Sequence, residues 1–230
     1  MRTVNIGILA HVDDGKTSLT ERILHHAGVI PAIGRVDHGT TSTDTLDLER
    51  ERGITIQSAV VSFRIDGLKV NLIDTPGHPD FIAEVERALR VLDGIVLVVS
   101  AVEGVQAQTR RLAQAIRSLH LPLIVFVNKI DRRGAREGEL LDDIRRKLHL
   151  RLVPVNTMRR IGTRDATACV LNPVGRGHTD TLADVCFVIS PIGSVDSTER
   201  KHADLVLTAL VEPALDQLGL RAVRADCVGR

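Results

Sequence analysis

The chain has 230 residues, 43% of them apolar, which is enough for one large domain or two small ones around a sizeable hydrophobic core. Thirty basic and 29 acidic residues give a net charge of +1, which predicts no global attraction to DNA or to a membrane surface. For the same reason any contact with RNA must be local. With four Phe and neither Tyr nor Trp, the composition argues against base stacking on an aromatic surface.

The sequence gives no sign of export. The N-terminal apolar run turns polar at His11 and is too short for a signal peptide, and no apolar run approaches the length needed to span a membrane. The cysteines, Cys169, Cys186 and Cys227, show neither the paired spacing of a metal site nor an even disulfide framework. We therefore expect a cytoplasmic protein with free thiols.

The first predicted elements are a strand from Val4 to Ala10, a glycine-containing loop and a helix from Thr17 to Ala27. Gly28 to Gly53 has no sustained periodicity and is predicted to be a long functional loop. Two apolar runs then flank Asp66-Gly67, a dipeptide suited to a two-residue turn, and predict an antiparallel hairpin at the sheet edge. These runs are Ile54 to Ile65 and Leu68 to Ile73.

After the hairpin, helices and strands alternate, a pattern typical of a parallel sheet covered on both faces. We predict helices at Pro79 to Val91, Gln106 to Leu119 and Glu139 to Leu148, and strands at Gly94 to Ser100 and Leu121 to Val127. The predicted fold class is therefore α/β, with a mostly parallel, doubly wound sheet and one antiparallel edge hairpin.

The pattern weakens after the last of these helices, although Arg151 to Val155 favours another strand. Regularity returns with a strand at Val185 to Ser190, a helix at Glu199 to Leu218 and a strand at Leu220 to Arg224, which together form a partial βαβ unit. We therefore expect a domain at residues 1–171, a linker at 172–183 and a partial flavodoxin-like βαβ segment at 184–230.

Ala10 to Thr17 fits the phosphate-loop pattern, except that Ala replaces the first Gly. Backbone N–H groups would surround the α- and β-phosphates, Lys16 would bridge the β- and γ-oxygens, and Thr17 would supply a hydroxyl to Mg²⁺. A chance Gly-Lys-Thr helix start is the alternative, which the preceding strand and following helix disfavour. The expected binding residues are Ala10, His11, Val12, Asp13, Asp14, Gly15, Lys16, Thr17 and Ser18.

Two acids, Asp13 and Asp14, stand next to each other in this loop. If both pointed inward, they would repel each other and the phosphates. We therefore expect Asp14 to point to solvent and Asp13 to assist a cation near the phosphates.

Asp74-Thr75-Pro76-Gly77-His78 ends an apolar strand and predicts contacts to the γ-phosphate. Asp74 would hold a Mg²⁺-bound water, Gly77 would let the backbone approach the γ-phosphate, and His78 would lie beside the attacking water. Thr55, directly before a strand, is the candidate for a second Mg²⁺ ligand. An ordinary Pro-Gly turn and a plain β-branched strand residue are the respective alternatives.

Asn128-Lys129-Ile130-Asp131 comes directly after an apolar strand, at the edge where ligands gather in parallel sheets. Asp131 can accept hydrogen bonds from N1–H and N2–H₂ of guanine, a pattern that adenine does not offer, so it would select GTP over ATP. Lys129 would lie against the base, and Asn128 would tie the loop together. With three motifs in this order, the sequence predicts a P-loop NTPase that binds GTP or GDP with Mg²⁺.

These motifs, together with Asn5-Ile6-Gly7, Glu49 to Ile56 and Gly104 to Thr109, resemble those of the translational GTPases. Within that family the chain is most similar to the tetracycline ribosomal-protection proteins, relatives of elongation factor G, from residue 3 to about 150 and more weakly to about 171.

The resemblance implies that the ribosome, through its RNA, activates an otherwise slow hydrolysis, and that the protein releases tetracycline from the small subunit. It also implies that Val12 and Ile54 form an apolar gate around the catalytic His78; simple packing is the alternative for both. Together with Lys16, these three residues are the catalytic candidates.

The sequence also departs from that family. The family's guanine-contacting Ser-Ala loop is not found, because neither Ser58-Ala59 nor Ser100-Ala101 lies in the expected place. Residues 184–230 resemble the start of TIR-like or nucleoside deoxyribosyltransferase-like domains. This second resemblance rests on Cys186 to Gly193, Arg200 to Asp204 and Arg224 to Asp226.

Three interpretations follow from these patterns. The first is a GTP-hydrolysing domain of the ribosomal-protection type. The second is a truncated or mosaic remnant that binds GTP poorly. The third is a GTPase sensor fused to a nucleotide-processing effector.

Overall fold

The computed structural model describes residues 3–32, 59–65, 68–75, 82–136, 138–154, 156–170 and 185–189. These residues form nine strands and four helices. The strands are β1 (Thr3–Ala10), β2 (Ala59–Ile65), β3 (Leu68–Asp74), β4 (Gly94–Ser100), β5 (Leu123–Asn128), β6 (Arg151–Pro154), β7 (Asn156–Arg159), β8 (Thr167–Val170) and β9 (Val185–Ile189). The helices are α1 (Lys16–His26), α2 (Ile82–Leu89), α3 (Ala107–Ser118) and α4 (Gly138–Leu148). Among these residues, no helix combines the length and the apolar character that crossing a membrane requires.

Seven strands form one sheet in the order β2-β3-β1-β4-β5-β9-β6. All neighbours are parallel except β2 and β3. In this antiparallel pair Ile65 lies opposite Leu68, which agrees with the predicted two-residue turn between them. The α/β class and the antiparallel hairpin at one edge of a mostly parallel sheet are confirmed.

Two hydrophobic cores lie on opposite faces of this sheet. Because successive side chains of a strand point to opposite faces, β4 contributes Leu97 to one core and Val98 to the other. α3 packs on the first core through Ile116 and α4 through Ile144, whereas α1 packs on the second through Leu24. The central strands are buried on both sides, which is why their sequences are continuous apolar runs.

The strand predicted at Val185 to Ser190 is present as β9, but its predicted position was wrong. β9 pairs in parallel with β5 and β6, so it belongs to the main sheet and not to a separate half-unit. The apolar run identified the strand, whereas periodicity carries no information about which strands it pairs with. The division into residues 1–171, 172–183 and 184–230 stays a prediction, since β9 is the part of the last segment that the structure describes.

A second, two-stranded sheet was not predicted. β7 and β8 pair antiparallel, in a stretch whose mixed polar sequence has no period-2 pattern. The hairpin packs on the first core through Met158 on β7 and Ala166, the last residue of its connecting loop. Burial of these two side chains therefore fixes the hairpin against the main domain.

Candidate functional site

The predicted motifs meet at one edge of the main sheet. β1, β3, β4 and β5 run parallel, so their carboxyl ends lie side by side. The phosphate loop follows β1, Asp74 ends β3, Ser100 ends β4 and Asn128 ends β5. The register places Asp74 opposite Ile8 and Asn128 opposite Ser100. The fold thus brings together groups that are far apart in sequence.

A buried ion pair joins the phosphate loop to β3. Lys16 is the first residue of α1, and its Nζ lies 2.6 Å from Oδ1 of Asp74, with side chains only 7% and 2% exposed. The next residue, Thr75, fixes the end of β3 by donating its hydroxyl to the carbonyl oxygen of Ile8 at 2.9 Å. Since the attraction within a buried pair only partly offsets its desolvation, this pair indicates a site built for a charged ligand.

The phosphate loop is also tied to the loop after β5. Nδ2 of Asn128 donates a hydrogen bond to the carbonyl oxygen of Asp14 at 2.8 Å. Gly15 has a φ of 93°, and a Cβ at this position would collide with Nδ2 of Asn128. A glycine is therefore required both by the backbone conformation and by the close approach of the amide.

Asp14 is buried, so the prediction that it points to solvent was wrong. Its exposed fraction is 0%, and neither carboxylate oxygen has a hydrogen-bond partner of good geometry among the described residues. Burial, followed by the charge of Glu103, raises the pKa of Asp14 from its ordinary value of 3.8 to about 7, although the charges of His11 and Lys129 and the His11 backbone lower it in part. Asp13 is the exposed member of the two acids, with a φ of 64° that turns the chain.

Two side-chain contacts next to this loop were not predicted. Nδ1 of His11 lies 2.7 Å from Oε1 of Gln108 on α3, and Nζ of Lys129 lies 3.5 Å from Oε1 of Glu103. Ser100 shapes the loop that carries Glu103, because its Oγ accepts the Glu103 backbone N–H at 3.2 Å. His11 and Gln108 are 97 residues apart, so no local sequence signal could have paired them.

The other predicted site residues differ in how the structure places them. The Asp131 side chain is 56% exposed, with Oδ2 3.9 Å from Nε of Arg132, so its carboxylate is open to a ligand. Lys129, two residues before it, has a left-handed backbone with a φ of 58°. In the phosphate loop Thr17 is buried, Val12 is partly buried and Ser18 is exposed. Ile54, Thr55, Gly77 and His78 lie outside the described residues, and their roles stay predictions.

Comparison with known proteins also indicates a GTP-binding domain. The profile of the family described as Elongation factor Tu GTP binding domain matches residues 1–216. An oxytetracycline resistance protein of Streptomyces rimosus is 62% identical over 212 residues, which cover 92% of this chain and 30% of that protein. The tetracycline resistance protein TetM of Streptomyces lividans is 58% identical over 185 residues, covering 80% and 29%. The chain therefore spans about three-tenths of the length of these relatives.

A solved structure supports the fold. A crystal structure of a Thermus thermophilus protein matches with a TM-score of 0.66 and 26% identity, over 97% of this chain and 34% of that one.

The family match also runs through the predicted linker and into residues 184–230, and nothing in these comparisons supports the resemblance of that segment to TIR-like or nucleoside deoxyribosyltransferase-like domains. The matched region contains the phosphate loop, the Asp74 motif and the guanine motif. The chain belongs to the family of the elongation factor Tu GTP binding domain.

Proposed function

We propose that this domain binds GTP together with Mg²⁺ and hydrolyses it to GDP and phosphate. The observation that carries the proposal is the buried pair of Lys16 and Asp74, on a phosphate loop that Asn128 ties to the guanine motif. The backbone N–H groups at the start of α1 attract phosphate oxygens. Lys16 can exchange Asp74 for the β- and γ-phosphates, where its ammonium would stabilise the charge that develops as the γ-phosphate departs.

The residues at this edge fit Mg²⁺. Carboxylate and hydroxyl oxygens are the protein groups that this ion prefers. Thr17 on α1 would bind it through its hydroxyl and Asp74 on β3 would hold it through a bound water, and their exposed fractions are 8% and 1%. When bound, the ion supplies charge neutralisation at the phosphates. We assign Thr55 as a further ligand and Asp13 as an exposed acid that assists a cation. Ala10, His11, Gly15 and Ser18 complete the phosphate-binding segment, and Gly77 contributes its backbone.

Guanine selectivity is assigned to Asp131. Its exposed carboxylate can accept both N1–H and N2–H₂ of guanine. Adenine has no donor at N1 and no 2-amino group. ATP would therefore displace water from the carboxylate without replacing the lost hydrogen bonds. Lys129, whose backbone conformation is left-handed, would lie along the base.

The partner and the wider role are also proposals. His78 would orient the attacking water, and Val12 and Ile54 would shield it until ribosomal RNA engages the site. The relatives are tetracycline resistance proteins by name. We therefore propose that the domain acts in the cytoplasm as part of a translational GTPase that uses the ribosome to protect against tetracycline.

The first experiment measures nucleotide binding and single-turnover hydrolysis by the purified chain. A fluorescent GDP or GTP analogue with Mg²⁺ should bind with a Kd below about 10 μM, equivalent to roughly −7 kcal/mol. ATP should compete about 100-fold more weakly, because it leaves Asp131 without its hydrogen bonds. No GTP binding at tens of micromolar, or equal competition by ATP, would contradict the proposal.

A further inference from the structure

Two loops pack against each other beside the guanine motif. One is residues 130–136, which begins inside that motif, two residues after the end of β5, and the other is residues 160–166, between β7 and β8. The backbone N–H of Gly162 donates to the carbonyl oxygen of Ile130 at 2.8 Å, and a Cβ on Gly162 would lie 3.7 Å from the carbonyl oxygen of Arg132. Ile130, Met158 and Ala166 are buried in the same core. The two loops and the last residue of β7 therefore form one continuous surface.

This surface is strongly basic. Residues 130–136 and 159–166 each carry three arginines and one aspartate, so together they have a formal charge of +4, whereas the whole chain has +1. All six arginine side chains are exposed. They are Arg132, Arg133, Arg136, Arg159, Arg160 and Arg164.

Within the described part of the chain, most of these arginines make no ion pair. Arg136 pairs with Glu139 at 2.5 Å, and Arg132 lies 3.9 Å from Asp131. The other four arginines make no ion pair with any residue in the described part of the chain. By contrast, the basic residues of α4 are each paired, with Asp142 or Asp143. The charge on the two loops is thus available to an external anion.

The chemistry of the surface favours phosphate groups as its ligands. A guanidinium is planar and can hold a phosphate with two parallel hydrogen bonds. The apolar side chains of the two loops face the core, either fully buried or, for Ala135 and Ile161, packed against it. A protein interface needs an apolar centre, and a membrane-surface segment needs an apolar face to insert. A surface of exposed arginines without such a centre is typical of contact with a nucleic-acid backbone.

We propose that this arginine surface, formed by residues 130–136 and 159–166, binds the phosphate backbone of structured RNA. The choice of RNA over DNA rests on the proposed function on the ribosome. Asp131 of the guanine motif lies within residues 130–136, but none of the six arginines is assigned to phosphate, Mg²⁺ or guanine binding. RNA binding and GTP binding can therefore be measured independently.

The test compares two fourfold variants of the full chain with equal loss of charge. The first changes Arg133, Arg159, Arg160 and Arg164 to Gln. The matched control changes Arg64, Arg90, Arg110 and Arg111 to Gln, which are exposed elsewhere on the domain. Binding to a fluorescent RNA hairpin is followed by anisotropy at several salt concentrations, with a DNA duplex of the same sequence and vesicles of anionic lipid as alternative ligands. GTP affinity is measured in parallel.

The parent and the control should bind the RNA hairpin with similar salt dependence. The first variant should bind at least about tenfold more weakly at low salt, and the slope of log affinity against log salt should be smaller by about 3. GTP affinity should be unchanged in both, which shows that the variants are folded. Equal loss in both variants, no RNA binding by the parent at low salt, or equal or tighter binding to DNA or vesicles would overturn the proposal. If the parent fails to bind GTP but the RNA results are as expected, the proposed GTPase function is contradicted and the RNA-binding proposal is not.

Discussion

Replacement of Asp14 by Asn should change how the stability of the domain depends on pH. Burial and the charge of Glu103 raise the pKa of Asp14 to about 7 in the folded state, whereas the ordinary value of 3.8 applies to the unfolded chain. Between these two values the folded state holds a proton that the unfolded chain has lost. The stability contributed by this group is therefore fully present below its unfolded pKa and is lost as the pH rises through the folded pKa.

The expected effect is large. A pKa that moves from 3.8 to about 7 corresponds to about 4 kcal/mol of stability over the whole pH range. Between pH 5 and pH 8 the parent should lose about 3 kcal/mol through Asp14. The amide of Asp14→Asn does not titrate, and the cost of burying it is the same at both pH values. The stability of the variant relative to the parent should therefore improve by about 3 kcal/mol from pH 5 to pH 8.

Urea unfolding at pH 5 and pH 8 gives the difference in unfolding free energy between variant and parent at each pH. The change in this difference between the two pH values isolates Asp14, because all other titrating groups cancel. Asp13→Asn is the control, because it removes the same charge from an exposed side chain in the same loop, and it should shift the difference by less than about 0.5 kcal/mol. Glu103→Gln should reduce the pH dependence in part, since the charge of Glu103 is the second cause of the raised pKa. A shift below about 1 kcal/mol in Asp14→Asn would refute the burial of a protonated Asp14.

Three further substitutions test the nucleotide site. Lys16→Ala removes the phosphate contact and the positive charge next to buried Asp74, so GTP affinity should fall at least about 100-fold and the free energy of unfolding by about 3 kcal/mol; unchanged GTP affinity in a fluorescence titration would be inconsistent with the role of Lys16. Asp131→Asn replaces a double acceptor by a group that can also donate, so in competition titrations GTP should bind about 100-fold more weakly and xanthosine triphosphate, which has a 2-oxo group, more tightly. The same selectivity for GTP in this variant would show that Asp131 does not contact the base. His78→Ala should leave GTP binding nearly intact and abolish the increase in phosphate release on adding ribosomes; equal turnover in both forms would refute its assigned role.

Local sequence patterns predicted most of the main sheet. β4 has the predicted bounds, because its apolar run from Ile95 to Val99 lies between Gly94 and the polar Ser100. The antiparallel pairing of β2 with β3 was recognisable from Asp66-Gly67 in the sequence, since few dipeptides suit a two-residue hairpin turn. The phosphate loop and the guanine motif were placed at strand ends because each directly follows an apolar run. Each of these predictions depends on residues that are neighbours in the sequence.

Contacts between distant residues could not be predicted in this way. β7 and β8 are four residues each and their sequences do not alternate, so their pairing depends on burial of Met158 and Ala166 in a core made by other elements. The partners of β9 are set by the free edges of β5 and β6. Asp14 was expected in solvent because two inward-pointing acids would repel each other and the phosphates, whereas in the structure Asp13 has a positive φ and is exposed while Asp14 is buried. Sequence patterns predict the elements, and packing decides which surfaces they share.

Asp14 links the pH dependence of stability to that of nucleotide binding. Its carbonyl oxygen accepts the hydrogen bond from Asn128, and its carboxylate is influenced by Glu103 and Lys129, which form an ion pair with each other. A negative charge on Asp14 would compete with Glu103 for Lys129 and would repel the phosphates, so it acts on both loops that hold the nucleotide. GTP affinity should therefore fall as the pH rises through about 7, over the range in which stability is lost. If one proton on Asp14 causes both effects, Asp14→Asn should flatten both pH profiles together, which two independent causes would not do.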